Sequence, residues 1–502
     1  MAGRELPDVE AIAPLIRGRV SLDALKSAGI LPLREEGGRL VMGLASPGSF
    51  PAAQVFAASF GMEAAWELHG REDLENLMNR LYDMRGGIGD DTLTAVAGID
   101  DSDGLLREDV QSDSVDVPVI KLVNGLIREA LKLRATDIHV EPCEGEVLIR
   151  FRVDGVLHDR LRLPRNLQAP LTSRVKVMAR MDIAERLAPQ DGRIGITVGN
   201  HAVDIRVSSI PVQHGERLAL RLLDKGSGLL SLEQLGMDAP SRQTMARLIE
   251  NPHGLLLFTG PTGSGKTTTL YAILQALARP AVNIITVEDP IEYDLNGIGQ
   301  IQVNEKAGVT FPSALRSILR QDPDIVMIGE MRDYETAHIG VQASLTGHLV
   351  LSTLHTNDSV SAVIRLIDMG IEPYLAAGSL LGAVAQRLVR TLCPECAAEE
   401  KAPALFQKEG VSSVFRGKGC VHCMGTGFRG RVGLYEQFVL DDELREAVGS
   451  GMSLAKIREL ARKKGFRTLW ELGLDAVRQG RTSPEELLRV VSAGEFGPAG
   501  ER

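Results

Sequence analysis

A lysine at the end of a glycine-rich run carries the clearest chemistry in this chain. Residues 260–269 read Gly260-Pro261-Thr262-Gly263-Ser264-Gly265-Lys266-Thr267-Thr268-Thr269, directly after the apolar run Leu255-Leu256-Leu257-Phe258. Strand, glycine-rich turn and helix start, in the pattern G-x-x-x-x-G-K-S/T, describe a loop that wraps phosphate. Gly260, Gly263 and Gly265 permit the tight turn and bring bare backbone N–H groups up to phosphate oxygens. A helix beginning near Lys266 adds the positive end of its dipole. Lys266 supplies a point charge for the terminal phosphates, and the Thr267 hydroxyl a ligand for magnesium. Residues 260–268 are therefore candidate binders of a nucleoside triphosphate with Mg²⁺.

Acidic strand ends are the second ingredient. Ile284-Ile285-Thr286-Val287 reads as a buried strand that runs into Glu288-Asp289-Pro290-Ile291-Glu292, and residues 324–329 read as another, closing on Glu330. In an open α/β sheet such carboxylates lie at the ligand crevice. Glu330 holds the place where a carboxylate orients the attacking water or holds Mg²⁺ through water. Gly329 stands where an Asp is usual. Glu330 must then serve metal and water together, or share the work with Glu288 and Glu292. His348 and His355 surround a third strand-like run. Their odd separation places them on opposite faces of a continuous strand. At least one is a candidate to sense the terminal phosphate or to couple the site to a neighbouring subunit.

Four of the five cysteines form Cys393-Pro-Glu-Cys396 and Cys420-Val-His-Cys423. Two such knuckles predict a tetrahedral thiolate site for structural zinc, with redox thiols as the competing reading. His422 is expected to be a bystander, and Cys143 a small packed residue.

These groups must be positioned by several elements. A length of 502 residues suggests about three or four domains. The net charge of -10 argues against a nucleic-acid partner. No apolar stretch approaches the roughly 18 residues of a membrane span, and the N-terminus lacks a signal-peptide core, so a cytosolic protein is expected. Residues 1–85 read as a small α/β module and 86–115 as a solvated acidic linker. Residues 116–224 form a second domain: Val119, Leu122, Val123, Leu126, Ile127 and Leu131 recur at helical spacing, and Asp154-Gly155 is a hairpin signal. Residues 225–234 read as a hinge linker. From 235 to 390 strands alternate with helices, which predicts a parallel sheet covered on both faces. The cysteine segment, 391–436, a helical region, 437–492, and a tail, 493–502, complete the chain. Ser483-Pro-Glu-Glu486 predicts a helix start.

Taken together, the chain resembles the secretion ATPases of the type II/type IV pilus superfamily. The matching segments are the glycine-rich loop, Thr286–Glu292, Arg320–Asp333, Thr346–Asp358, Ala135–Pro142, Arg150–Gly155, Asp204–Ser209 and the cysteine pairs through to Glu436. Within that superfamily it is most similar to the general secretion pathway protein E family of type II secretion. The type IV pilus extension ATPase is the near alternative, and a weakly hydrolysing ATP-gated scaffold the rival from another class. The resemblance implies a RecA-like ATPase core preceded by an α+β (PAS-like) domain, hydrolysing ATP in a homo-hexamer. It also implies that Arg206 and Arg221, and more weakly Arg316, contact phosphate. Its implied partners are the cytosolic domain of a bitopic inner-membrane platform protein and a polytopic platform protein. These would hold a cytoplasmic chain at the inner membrane and couple it to pseudopilus assembly.

Overall fold

The computed structural model describes residues 28–58, 61–71, 73–74, 77–78, 113–198, 201–224 and 229–491, with Pro7, Ile12, Leu15 and Leu25. Most of the acidic stretch 86–115, residues 225–228 of the hinge segment and the tail 493–502 lie outside these residues. The chain divides into two compact units, Met1–Ser227 and Gly228–Arg502.

Strands β1 (Ile30–Glu36) and β2 (Arg39–Leu44) of the first unit are joined by a Gly37-Gly38 turn with both φ angles positive. Helix α1 (Phe50–Ala58) carries the chain over to β3 (Glu63–Leu68), which lies parallel to β2. Leu31, Leu33, Leu40, Met42, Leu44 and Phe56 form their core.

Helix α2 (Asp113–Lys132) opens the second domain, starting within the segment read as acidic linker. It buries Val119, Leu122, Val123, Leu126 and Ile127, the stripe its spacing predicts. A six-stranded antiparallel sheet follows, made of β4 (Ala135–Pro142), β5 (Glu146–Val153), β6 (Val156–Pro164), β7 (Gln190–Val198), β8 (His201–Val212) and β9 (Gly215–Asp224). Its order is β6-β5-β4-β9-β8-β7, with helix α3 (Gln168–Ala179) between β6 and β7 in the chain. Asp154 and Gly155 turn β5 into β6 with φ of 48° and 83°, as a two-residue hairpin requires. Val147, Ile149 and Phe151 of β5 face the core, while Arg150 and Arg152 face the other side.

The second unit is built on a seven-stranded sheet. Helix α4 (Ala239–Ile249) precedes β10 (Gly254–Thr259), and α5 (Lys266–Leu277) leads to β11 (Ile284–Glu288) and β12 (Gly299–Gln302). Then come α6 (Phe311–Ile318), β13 (Ile325–Ile328), α7 (Tyr334–Leu345), β14 (Leu349–Leu354), α8 (Ser359–Asp368), α9 (Pro373–Ser379) and β15 (Leu380–Leu392). Beyond the cysteine excursion, which holds β16 (Ala397–Lys401), α10 (Ala404–Lys408) and β17 (Ser413–Gly417), β18 (Phe428–Val439) returns to the sheet. The order is β12-β11-β13-β14-β10-β15-β18, parallel except for β18. A cysteine segment ending at 436 would cut through β18. The excursion is instead residues 393–427, because β15 and β18 pair antiparallel almost to their ends. Helices α11 (Asp442–Gly449), α12 (Leu454–Lys463), α13 (Leu469–Arg478) and α14 (Pro484–Val490) close the chain, Ser483 capping the last by accepting from the Glu486 amide at 3.2 Å. No helix of the described residues is long and apolar enough to cross a membrane.

Candidate active site

β10 is buried along its whole length between β14 and β15, so the chain emerges at the carboxyl edge of the sheet and turns at once. Gly260, Gly263 and Gly265 have φ of 145°, 79° and 87°. Gly265 caps α5 with no side chain on the helix amides, which leaves that helix end to attract an anion. Pro261, Thr262, Gly263, Thr267 and Thr268 are exposed along the loop and first helical turn, and Ser264 is buried. Lys266 is buried and donates to the carbonyls of Gly260 at 2.7 Å and Pro261 at 3.2 Å. Burial first, then the charge of Arg387, bring the Lys266 ammonium down to about 8, against the pull of Glu330.

Glu330 follows β13 at the same edge. It pairs with Arg332 Nε at 2.7 Å and lies 3.6 Å from His355 Nε2. A cavity of about 210 Å³ beside it is lined by Asp289, Glu305, Thr310, Phe311, Glu330 and Arg332. Gly329, in the usual Asp position, packs closely on β11: a Cβ there would sit 3.2 Å from the Val287 carbonyl. The exposed Thr267 hydroxyl and the Glu330 carboxylate are hard oxygen donors of the kind Mg²⁺ takes.

The Glu288 carboxylate is held inside the fold, and the Glu292 backbone is anchored beside it. Glu288 is 3% exposed and accepts from the Tyr271 hydroxyl, from Thr286 Oγ1 at 2.7 Å and from Gln300 Nε2 at 3.0 Å. Its oxygens are committed to fastening β11 to α5. The Glu292 amide donates to the same Tyr271 oxygen at 3.2 Å, so the loop after β11 is anchored through this cluster. Burial and then Glu288 push the Tyr271 phenol upward.

The histidines part company. His355 is at the carboxyl edge by Glu330. His348 precedes β14 at the opposite edge, where its carbonyl accepts from the Gly254 amide at 3.0 Å and its Nδ1 meets the Ala343 carbonyl at 2.9 Å. Six residues of strand separate that edge from the phosphate loop, roughly 20 Å. His348 therefore has no place at this chain's own phosphate loop.

Arg206 and Arg221 belong to the first unit and are cross-strand partners on one face of its sheet. Asp137 holds Arg221 Nε at 3.1 Å and Arg152 Nε at 3.5 Å. Arg316 is exposed on α6 and pairs with Glu335.

Cys393, Cys396, Cys420 and Cys423 bring four Sγ atoms within 4.8 Å of one another. The separations Cys393–Cys420, Cys396–Cys423 and Cys420–Cys423 are 3.8, 3.8 and 3.6 Å. A tetrahedron with Zn–S bonds of about 2.3 Å has edges of about 3.8 Å, so the donors fit zinc in chemistry and spacing. Burial raises the Cys396 thiol to about 12, while the Cys423 thiol, despite burial, is drawn to about 6 by the amides of Cys420 and Gly427. Four thiols so close ionise together only around a cation.

Sequence reasoning passed over Tyr271, Gln386 and Arg387. The last two had a signal, a polar pair inside the apolar run from Ala383 to Val389.

A phosphate loop after a central parallel strand, with a strand-end carboxylate opposite, defines a P-loop nucleoside-triphosphatase core. Residues 112–489 match the family model described as type II/IV secretion system protein, and the chain belongs to that family. Residues 3–88 match the MshEN domain. The chain is 53% identical over 394 residues to type II secretion system ATPase E of Vibrio cholerae, covering 76% of this chain and 77% of the relative. It is 50% identical over 428 residues to type II secretion system protein HxcR of Pseudomonas aeruginosa, covering 84% and 88%. Among solved structures it resembles the pilus retraction motor PilT with bound ADP, at 26% identity and a TM-score of 0.51, covering 72% of this chain and 95% of that one. The ATPase DotB of Legionella pneumophila shares the fold, at 20% identity and a TM-score of 0.55, covering 73% and 94%.

Proposed function

We propose that this chain is the cytoplasmic ATPase of a type II secretion system, hydrolysing ATP to drive pseudopilus assembly and protein export. One observation carries the reading: Lys266, on the loop after β10, and Glu330, after β13, stand at the same edge of the parallel sheet, in a chain 53% identical to a relative named as the secretion ATPase. In this reading the amides of the 260–265 loop and Lys266 take the phosphates, and Glu330 orients water, with His355 beside it. Thr267 and Glu330 would hold Mg²⁺, which supplies charge neutralisation across the β- and γ-phosphates when bound. Arg206 and Arg221 are assigned to the transferred phosphoryl group, where a guanidinium stabilises spreading negative charge. The tetracysteine centre holds structural zinc. The active form is a homo-hexamer, docked peripherally on the inner membrane through a bitopic platform protein's cytosolic domain and a polytopic platform protein.

The test is Lys266→Ala in the full chain. Phosphate release, measured with and without enforced hexamerisation, is expected to fall by about 10²-fold or more. The melting temperature should not fall, because Lys266 bonds only loop carbonyls and its buried charge opposes folding at neutral pH. Normal turnover in this variant would refute the site.

A further inference from the structure

β15 pairs with β10 up to Thr259↔Ala385, so Gln386 and Arg387 continue the strand where β10 has already turned into the phosphate loop. Both are buried, at 1% and 8% exposure. Gln386 Oε1 accepts from Thr269 Oγ1 on α5 at 2.9 Å. Arg387 Nη1 donates to the Gln386 carbonyl at 3.1 Å, and Nη2 to the Asn357 carbonyl at 2.9 Å. The guanidinium lies directly under the start of the loop: a Cβ on Gly260 would be 2.9 Å from its Nη1. Asn357 belongs to the short segment that also carries His355, 3.6 Å from Glu330, and Thr356, whose hydroxyl meets Thr259 Oγ1 at 2.7 Å.

A guanidinium is a rigid planar fork, so carbonyls bound to its two arms are fixed relative to each other. An aliphatic residue would fill a buried strand position without the desolvation that a cation brings. We propose that Arg387 is a positioning residue for hydrolysis. It ties the middle of β15, against which the first glycine of the phosphate loop packs, to residues 355–358, so that the group that grips phosphate, Lys266, and the groups that act on water, Glu330 and His355, keep one spacing. The inference rests on the ATPase reading above. Displacements of about 1 Å in such a site can cost about 10²-fold in rate with the ligand still bound.

The experiment uses the full chain with Arg387→Lys, His355→Asn, their double variant and Thr259→Val. A fluorescent ATP analogue gives the nucleotide Kd, and phosphate release gives kcat. Arg387→Lys, which keeps the charge but loses the fork, is expected to lower kcat about tenfold or more with Kd changed less than about threefold. If the coupling runs through the 355–358 segment, adding Arg387→Lys to His355→Asn costs little more than His355→Asn alone. Thr259→Val removes a second side-chain tie to that segment, the hydroxyl that meets the Thr356 amide, carbonyl and Oγ1, and should give the same kcat-selective loss, so it decides the matter if Arg387→Lys unfolds. Unchanged kcat, fully additive losses, or a joint collapse of Kd and melting temperature in the folded variants would overturn the proposal. Absence of ATP hydrolysis by the unmodified chain would instead overturn the ATPase reading itself.

Discussion

β15 touches both of the chain's candidate ligand sites, and they are built on opposite principles. Near its middle, Gln386 and Arg387 support the phosphate loop. Just past its end, Cys393 contributes the first thiol of the tetracysteine centre. The phosphate loop is shaped by the protein alone: buried strands on both sides of β10, glycines at positive φ, and a lysine bonded to loop carbonyls. The thiols are shaped for a cation. Residues 393–427 return little apolar packing near the knuckles, where Val421 and Met424 are exposed. The first site is organised by the fold around it; in the zinc reading, the second would draw its local order from its ligand.

The sharpest way to break that contrast is to remove the metal. Structural zinc binding runs to about 10–16 kcal/mol in small zinc domains, comparable to the whole stability of a typical fold. Chelation, or Cys396→Ser, should therefore unfold the knuckles while the sheet persists. Amide hydrogen exchange is expected to accelerate across 393–396 and 418–427 and to stay slow in β10 and β14. Equal protection with and without metal would show that packing, not zinc, orders the excursion.

A smaller effect tests the preorganised side. Tyr271→Phe removes one donor from the buried Glu288 carboxylate, and a buried acceptor so deprived costs about 1–3 kcal/mol. Chemical denaturation should register that loss. Because Tyr271 also receives the Glu292 amide, the loop after β11 should loosen, and turnover should drop more than nucleotide affinity.

Lys266 gives a third handle, in pH. Its folded value of about 8 lies below the ordinary 10.5, so the fold binds fewer protons than the unfolded chain between those values. Stability from this group therefore rises as pH climbs from about 8 towards 10.5; below 8 the buried charge opposes folding. Function runs the other way. Neutral Lys266 attracts phosphate less, so kcat/KM, which reports the free enzyme, should decline above about pH 8. Lys266→Arg, always charged, should abolish that limb whatever its activity.

The parts of this site that were legible in the sequence are those where backbone geometry dictates residue type. Glycines at forced positive φ, a lysine at a helix start and paired C-x-x-C knuckles leave marks that hardly depend on the rest of the fold. The hairpin at Asp154-Gly155 and the buried stripe of α2 were legible for the same reason. The hydrogen-bond partners of Glu288 were not, because a strand-end carboxylate looks alike in sequence whatever it faces, here a tyrosine 17 residues earlier. The extent of the cysteine excursion was hidden too. Only the long-range pairing of β15 with β18 shows that residues 428–436 belong to the central sheet.

The smallest expected effect concerns the two histidines, which sequence spacing alone leaves equivalent. His355 lies 3.6 Å from Glu330, whereas His348 sits at the far edge with its Nδ1 against the Ala343 carbonyl. His348→Asn keeps a polar side chain at a partly buried strand start, so stability should change by less than about 1 kcal/mol. In a monomeric preparation its turnover should match the unmodified chain, while His355→Asn should lose activity. A second measurement in the enforced hexamer sharpens the point. Any loss that His348→Asn shows only there must arise between subunits, because within one chain roughly 20 Å of strand lie between this ring and the phosphate loop. Equal losses for both histidines in the monomer would mean that the edge of the sheet does not define the site.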